Sequence, residues 1–413
     1  MQNNLPTQRQ LEFQSWEMGI FVHFGIRTFN EGVADFSQDI MSPSSFNPTQ
    51  LDCNQWAKVA SDSGANYMVF VAKHHDGFAN WPSQYTDYSV ASSSWQSGKG
   101  DVVQQYVDAC RAYDLRVGLY YSPADINCPI YEDEKAYDDY FIDQVTELLD
   151  GRYGDIDMLW FDGCGSENHT YDWTRIVKAI REMQPNILLF NMGDPDYRWV
   201  GNESGIAPSP CFNTISELDF SIKTQKRIKV SEDGVWLPAE CDFMMRDNTW
   251  FYSENTSQTV KQPDELVGIY HYSVGRGTNM LLNIGPDRKG LFPNEEVDSL
   301  NIFAQKIQRK FSNPIASIIN FSQANDVWES RLPESQLIDC LVLQEETELG
   351  EAVESFRILI TPYTGGNAIV VYQGTSIGHK AIARFPTVRT AEIRVEITSA
   401  RQNVQLKTIN VFK

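Results

Sequence analysis

The stretch Met158-Leu-Trp-Phe-Asp-Gly163 decides how this chain reads. Four apolar residues run without interruption and end in a carboxylate and a glycine. Strands buried on both faces have this composition, and parallel sheets covered by helices are made of such strands. In a (β/α) barrel the active site is assembled at the C-terminal ends of the strands. Asp162 therefore stands where a catalytic carboxylate would stand. A strand-end aspartate can equally cap the turn that follows, and this stretch alone leaves both roles open.

Working outward, similar strands precede and follow it. Gly19-Ile-Phe-Val-His-Phe-Gly25, Tyr67-Met-Val-Phe-Val-Ala-Lys73, Arg116-Val-Gly-Leu-Tyr-Tyr-Ser122 and Ile187-Leu-Leu-Phe-Asn191 all read as short buried strands. Between them the periodicity predicts helices over 50–63, 102–113, 137–149 and 172–184, with Asp101 as an N-cap. This alternation predicts parallel strands joined by right-handed crossovers. No G-x-G-x-x-G follows the first strand, which weighs against a dinucleotide-binding sheet. Residues 26–50 read as loop. Residues 193–260 read as irregular and are rich in Pro, Gly, Asn and Trp, as functional loops are. A helix over 263–273, a strand over 278–285 and a helix over 294–311 close the pattern. From about residue 314 alternating short strands take over and helices fade, which predicts an antiparallel β-sandwich. The expected architecture is α/β: an irregular (β/α)8-like TIM barrel over 1–313 and a small C-terminal sandwich over 314–413.

Composition bounds the function. With 413 residues, 42% of them hydrophobic, the chain can bury a large barrel core and a second small one. The formal charge of −21 disfavours a phosphate backbone or an anionic membrane as partner. The seven cysteines are scattered without a C-x-x-C pair, so neither a zinc site nor a disulfide framework is expected. No apolar leader stands in the first nineteen residues and no 18-residue apolar run occurs. A soluble protein is expected, either cytoplasmic or exported with its leader removed. Aromatic residues make up 12%. Together with the acidity this suits a sugar-binding cleft, and a large aromatic core accounts for it equally well.

The strand ends carry the polar candidates. His23 ends the first strand, His74 and His75 the second, Tyr120 lies near the end of the third, and Asp162 ends the fourth. Parallel strands bring all five to one rim, where they make a polar pocket. Three histidines and an aspartate are a legitimate metal-ligand set. However, neighbours on an extended strand face opposite ways, and neither H-x-H nor H-E-x-x-H is present. Glycoside hydrolysis needs two carboxyls flanking the scissile bond. A partner for Asp162 is sought among Asp194, Asp196, Glu203, Glu217, Glu232, Asp233, Glu240 and Asp242. Glu203 and Glu240 have aromatic neighbours able to raise an acid's pKa, and the residues alone do not choose between them.

Six segments together resemble the α-L-fucosidases of glycoside hydrolase family 29. They are Gly19-Ile-Phe-Val-His-Phe-Gly25, Lys73-His-His-Asp-Gly-Phe78, Trp81-Pro-Ser-Gln-Tyr-Thr-Asp-Tyr88, Leu119-Tyr-Tyr-Ser122, Leu159-Trp-Phe-Asp-Gly163 and Leu281-Leu-Asn-Ile-Gly-Pro286. They fall in family order, and the K-H-H-D-G-F segment is the most specific. Ala72 stands where Thr commonly precedes that segment. The resemblance implies a barrel followed by a β-sandwich. It also implies a retaining mechanism with Asp162 as nucleophile, and substrate contacts from His23, His74, His75, Tyr120 and Trp160. Trp199-Val-Gly-Asn-Glu203 resembles the subfamily acting on α-1,3/1,4-linked fucose of branched, Lewis-type glycans. That likeness implies Glu203 as acid/base, Arg198 as a fucose contact and Glu240 facing the next sugar. Fucose carries a methyl group on C5, for which Phe24, Trp81 or Trp160 are candidate apolar walls. No cofactor and no metal is implied, and the partner is a fucosylated glycan. Two other readings remain to be weighed: a fucose-binding protein with a silent barrel, and a metal-dependent hydrolase built on the histidines.

Overall fold

The computed structural model describes residues 4–33, 37, 39–247 and 249–413. Residues 34–36 and 38 of the loop expected over 26–50 lie outside the described residues. Eight parallel strands form the first sheet: β1 (Met18–Val22), β2 (Tyr67–Lys73), β3 (Arg116–Tyr121), β4 (Met158–Trp160), β5 (Leu188–Phe190), β6 (Arg198–Trp199), β7 (Ala239–Met244) and β8 (Asn279–Ile284). Their spatial order is β5-β4-β3-β2-β1-β8-β7-β6. A single parallel bridge, Phe190 to Tyr197, lies between the two ends, so the sheet nearly closes into a barrel.

The strands read as continuous apolar runs because each has two buried faces. Phe21, Val69, Val71, Tyr120, Trp160, Phe190 and Leu281 belong to one cluster inside the barrel. Their neighbours Ile20, Val22, Met68, Phe70, Leu119, Leu159, Leu189, Met280 and Leu282 belong to a second cluster shared with the surrounding helices. This is the period of two expected of a strand. The helix Gln8–Trp16 closes the end of the barrel opposite the site: Phe13 and Trp16 join the inner cluster, and Asn279 Nδ2 donates to the Phe13 carbonyl at 2.8 Å.

Helix boundaries follow the caps. The helix expected from residue 50 begins at Cys53, because the Asp52 side chain accepts the N–H groups of Asn54 and Gln55. The one expected from 137 begins at Glu134, capped by Asp133. The larger correction concerns 193–260. This region holds two barrel strands, β6 and β7, and a small antiparallel hairpin, Glu217–Ser221 with Lys226–Lys229. β6 is two residues long, and β7 mixes Glu240 and Asp242 into a buried run, so neither shows an apolar period. β5 passes to β6 through seven residues with no helix between them, which makes the barrel irregular.

The C-terminal β-sandwich is antiparallel. Two long strands, Val327–Glu345 and Ala381–Ala400, pair along most of their length, with register shifts after Arg331 and Ile338. Val353–Pro362, Ile369–Gly374 and Leu406–Phe412 add to them. The sandwich has its own apolar cluster, including Trp328, Leu341, Ile358 and Val395. Cys340, Val342, Ile382 and Phe412 belong instead to the helix-side cluster of the barrel, so one sandwich face is packed on the barrel. Among the described residues no helix is long and apolar enough to cross a membrane.

Candidate active site

The strand ends of β1 to β4 meet as the sequence predicts. His23, His74, His75, Tyr120, Trp160 and Asp162 line one cavity at the C-terminal rim. The void is about 870 Å³ with the solvent-open mouth included.

The K-H-H-D-G-F segment is a device for presenting two histidines. Lys73 is fully buried; its Nζ lies 3.1 Å from Asp125 Oδ2 and donates to the Tyr121 hydroxyl at 3.0 Å. This anchors the end of β2. Asp76 Oδ1 accepts the Phe78 N–H at 2.8 Å and turns the chain. Gly77 sits at φ +82°, with Asp125 where a Cβ would be, so only glycine fits that turn. Phe78 returns to the core.

Asp162 caps the turn and also lines the cavity. Its Oδ1 accepts the Cys164 N–H at 2.8 Å, as a turn cap does. Its Oδ2 accepts the Tyr120 hydroxyl at 3.0 Å and lies 3.4 Å from His75 Nε2. Burial pushes its pKa up, but the hydrogen bond and charge of His75, the Cys164 N–H and the Tyr120 hydroxyl outweigh that push, and the carboxyl is held below its ordinary range. Burial lowers the pKa of two of the cavity histidines. Burial draws His23 down to about 3 and His74 well below its usual value. His23 Nδ1 meets Asn283 Oδ1 at 2.7 Å. Asn283 spends its Nδ2 on the Trp250 carbonyl, so its oxygen is the acceptor and His23 carries the hydrogen on Nδ1.

Trp160 forms an apolar wall, stacked on Phe190 with ring centroids 4.0 Å apart and on Tyr120 at 5.4 Å. Its indole N–H donates to Glu240 Oε1 at 2.8 Å. Glu240 is 1% exposed, lies outside the cavity lining, and takes the Tyr67 hydroxyl on its other oxygen at 2.6 Å. Burial pushes it up to about 7. The resemblance implied that Glu240 faces the next sugar; in this structure both its oxygens are engaged beneath Trp160, outside the cavity lining. Arg198 is likewise turned away: it is buried, and its guanidinium donates to the carbonyls of Trp199 and Phe212. Trp81 is fully buried in the helix-side cluster, with its indole N–H on Glu147 Oε2 at 2.9 Å. Phe24 lies in the same cluster. Neither residue lines the cavity; the apolar surfaces that do include Phe21, Trp160, Phe190, Trp199, Phe220, Ile222 and Trp250.

Glu203 does line the cavity, and so does Asp242. The backbone bridge between Ser204 and Phe243 ties their two segments together. Asp242 Oδ1 accepts the Trp199 indole N–H at 2.7 Å. Burial first, then the charge of Glu203, push its pKa well above the ordinary value. Period-two logic would have found it: on β7, Glu240 and Asp242 share a face, and Asp242 is nearer the C-terminal end, where the mouth is. Trp199, Phe190, Asn191 and Trp250 were also not singled out as lining residues, although Trp199 stands in the segment quoted for Glu203. Asn191 fastens the rim: its Oδ1 accepts the Trp199 N–H and its Nδ2 donates to the Asp219 carbonyl in the hairpin. No group of three or more His, Cys, Asp or Glu side chains among the described residues is arranged to hold a metal ion. A carboxylate held ionised, two further carboxyls and aromatic walls in one cavity suit acid–base and nucleophilic chemistry on a polyhydroxylated ligand.

The family model for alpha-L-fucosidase matches residues 2–309. Alpha-L-fucosidase 1 of Arabidopsis thaliana is 32% identical over 447 aligned positions, covering 99% of this chain and 87% of the plant protein. The structure of a glycoside hydrolase 29 family member from an unknown rumen bacterium superposes with a TM-score of 0.90 at 31% identity, covering all of this chain and 77% of that one. The structure of SpGH29 also gives 0.90, at 28% identity, covering all of this chain and 99% of that one. With the family model spanning the whole barrel and relatives matching nearly end to end, the chain belongs to the alpha-L-fucosidase family, glycoside hydrolase family 29.

Proposed function

We propose that this chain is a retaining, exo-acting α-L-fucosidase that releases α-1,3/1,4-linked fucose from branched, Lewis-type glycans, with residues 1–313 as the catalytic barrel and 314–413 as the sandwich. The observation that carries the reading is Asp162 Oδ2, held ionised beside Tyr120 and His75 in a cavity that Glu203 also lines. Asp162 attacks the anomeric carbon and displaces the aglycone oxygen, which takes a proton from Glu203. Glu203 then deprotonates the water that hydrolyses the fucosyl ester. His23, His74, His75 and Tyr120 bond the sugar hydroxyls, and the Phe21, Trp160 and Phe190 surfaces take the C5 methyl. Glu240 and Asp242 act by orienting indoles. No cofactor or metal enters these steps, and the partner is a fucosylated oligosaccharide or glycoconjugate.

The linkage preference rests on the Trp199-Val-Gly-Asn-Glu203 segment. Its test is a side-by-side assay on an aryl fucoside, 2′-fucosyllactose and Lewis trisaccharides. A preference for the trisaccharides of at least about tenfold in kcat/KM supports the reading, and equal or better turnover of 2′-fucosyllactose removes it. A metal-dependent hydrolase would lose activity in EDTA; the proposal expects none lost. A silent fucose-binding protein would retain fucose without turning over any fucoside.

A further inference from the structure

We infer that Ser122 is a positioning residue of this site: it fixes which nitrogen of His75 carries hydrogen, and thereby makes the group facing Asp162 a donor only when His75 is an imidazolium. The inference rests on the proposed role of Asp162.

Ser122 follows β3 and is fully buried. Its hydroxyl oxygen lies 2.6 Å from His75 Nδ1 and 2.7 Å from the Ala124 carbonyl oxygen. A carbonyl only accepts, and a serine has one hydrogen to give. The serine hydrogen therefore goes to Ala124, and His75 must donate from Nδ1. Two backbone bonds hold this arrangement in place: the Ser122 N–H to the Lys73 carbonyl and the Ile126 N–H to the His75 carbonyl, both at 2.9 Å.

The consequence appears at the other side of the ring. Nε2 lies 3.4 Å from Asp162 Oδ2. With Nδ1–H fixed, a neutral His75 would turn a lone pair on an ionised carboxylate. The contact is attractive only while the pair holds one proton between them, as imidazolium and carboxylate or as imidazole and carboxylic acid. His23 shows the contrast: it too carries hydrogen on Nδ1, but burial keeps it neutral. The titratable and charged groups around His75 are His74, 4.3 Å away between ring centroids, Tyr120 at 6.5 Å, Asp162, His23, Asp76 and the nearby charge of Arg27. Asp162 lies within ion-pair distance of its Nε2. Ser122 thus ties the hydrogen position on His75 to the nitrogen that faces Asp162.

The test is 15N NMR of the full-length protein labelled at histidine, read with kinetics on an aryl fucoside. His75 is identified among the six histidines by the signals missing in His75→Gln. In the wild type, Nδ1 of His75 is expected to carry hydrogen throughout the pH range of the folded protein. In Ser122→Ala the neutral form moves its hydrogen to Nε2, and kcat/KM falls at least about tenfold, as happens when a catalytic histidine loses the partner that sets its tautomer. Ser122→Thr keeps the hydroxyl and restores both readouts toward wild type. A wild-type spectrum with Nδ1 bare overturns the inference whether or not the variants fold. So does a Ser122→Ala enzyme with wild-type kcat/KM and unchanged His75 signals. Failure of the Asp162 assignment shows separately, as turnover by Asp162→Ala, and leaves the NMR outcome readable.

Discussion

Glu240 and Glu351 are both carboxyls pushed up to about 7 by burial, and they show how differently the barrel and the sandwich use a buried charge. Glu240 stands inside the barrel and accepts from two side chains, Trp160 and Tyr67. Through Trp160 it reaches Tyr120, and through Tyr120 it reaches Asp162. Glu351 lies in the sandwich and accepts from Asn213, at 2.7 Å from the side chain and 2.9 Å from the backbone N–H. Glu345 beside it accepts the N–H groups of Ala352, Val353 and Gly378. In the sandwich, buried glutamates satisfy backbone and hold the two parts together. In the barrel, a buried glutamate holds a wall of the site. Only the barrel places its buried glutamate under a fixed aromatic surface that stands beside Tyr120 and Asp162.

The largest effect is expected at the end of the barrel's chain of contacts. Asp162→Ala should lower kcat/KM by about 10³-fold or more while the thermal unfolding transition stays cooperative. A loss below tenfold would break the claim that the barrel's polar groups converge on this carboxylate. Glu203→Ala should cost about 10²- to 10⁴-fold on glycans and much less on an aryl fucoside with a good leaving group. Azide should restore turnover of the latter by giving a fucosyl azide. Rescue at Asp242→Ala in place of Glu203→Ala would reassign the acid.

The two glutamates themselves give the sharper test. Glu240→Ala leaves the Trp160 and Tyr67 donors unpaired and should cost about 2–4 kcal/mol of stability together with a roughly 10- to 100-fold loss of kcat/KM. Glu351→Ala strands Asn213 and should cost about 2–3 kcal/mol in chemical denaturation, with kcat/KM within about twofold of wild type. Equal activity losses in the two variants would erase the distinction. The last effect is in pH linkage. A carboxyl whose folded pKa is raised contributes stability below its unfolded pKa, near 4.5, and loses that contribution as pH rises through about 7. Glu240→Gln, which keeps an acceptor for Trp160 and a donor for Tyr67, should therefore gain roughly 2–3 kcal/mol relative to wild type between pH 4 and 8. Urea denaturation at both pH values reads the difference.

Much of the barrel was legible because a buried parallel strand advertises itself. β1 to β5 and β8 are apolar runs that end in polar residues, and five of those residues, with Trp160, line the cavity. β6 and β7 were not legible, because one is too short to show a period and the other carries carboxyls where the period calls for apolar residues. The placements of Trp81, Arg198 and Glu240 away from the cavity share this origin. Each stands in a segment rich in functional residue types, and its direction depends on packing: Trp81 points to Glu147, Arg198 to two carbonyls, and Glu240 to Trp160.

The amino-acid sequence by itself determined that apolar strands alternate with helices, that a sandwich follows, and that Asp162 and three histidines end their strands on one rim. Those properties are local, set by side-chain period and caps. Tertiary structure alone decided which carboxyls line the cavity. Near-closure of the barrel puts Glu240 below Trp160 and Asp242 one pleat higher at the mouth, and a two-residue step along one strand separates a wall support from a lining group. It also decided the state of His75, because Ser122 and Ala124 fix its hydrogen only after β2 and β3 lie side by side.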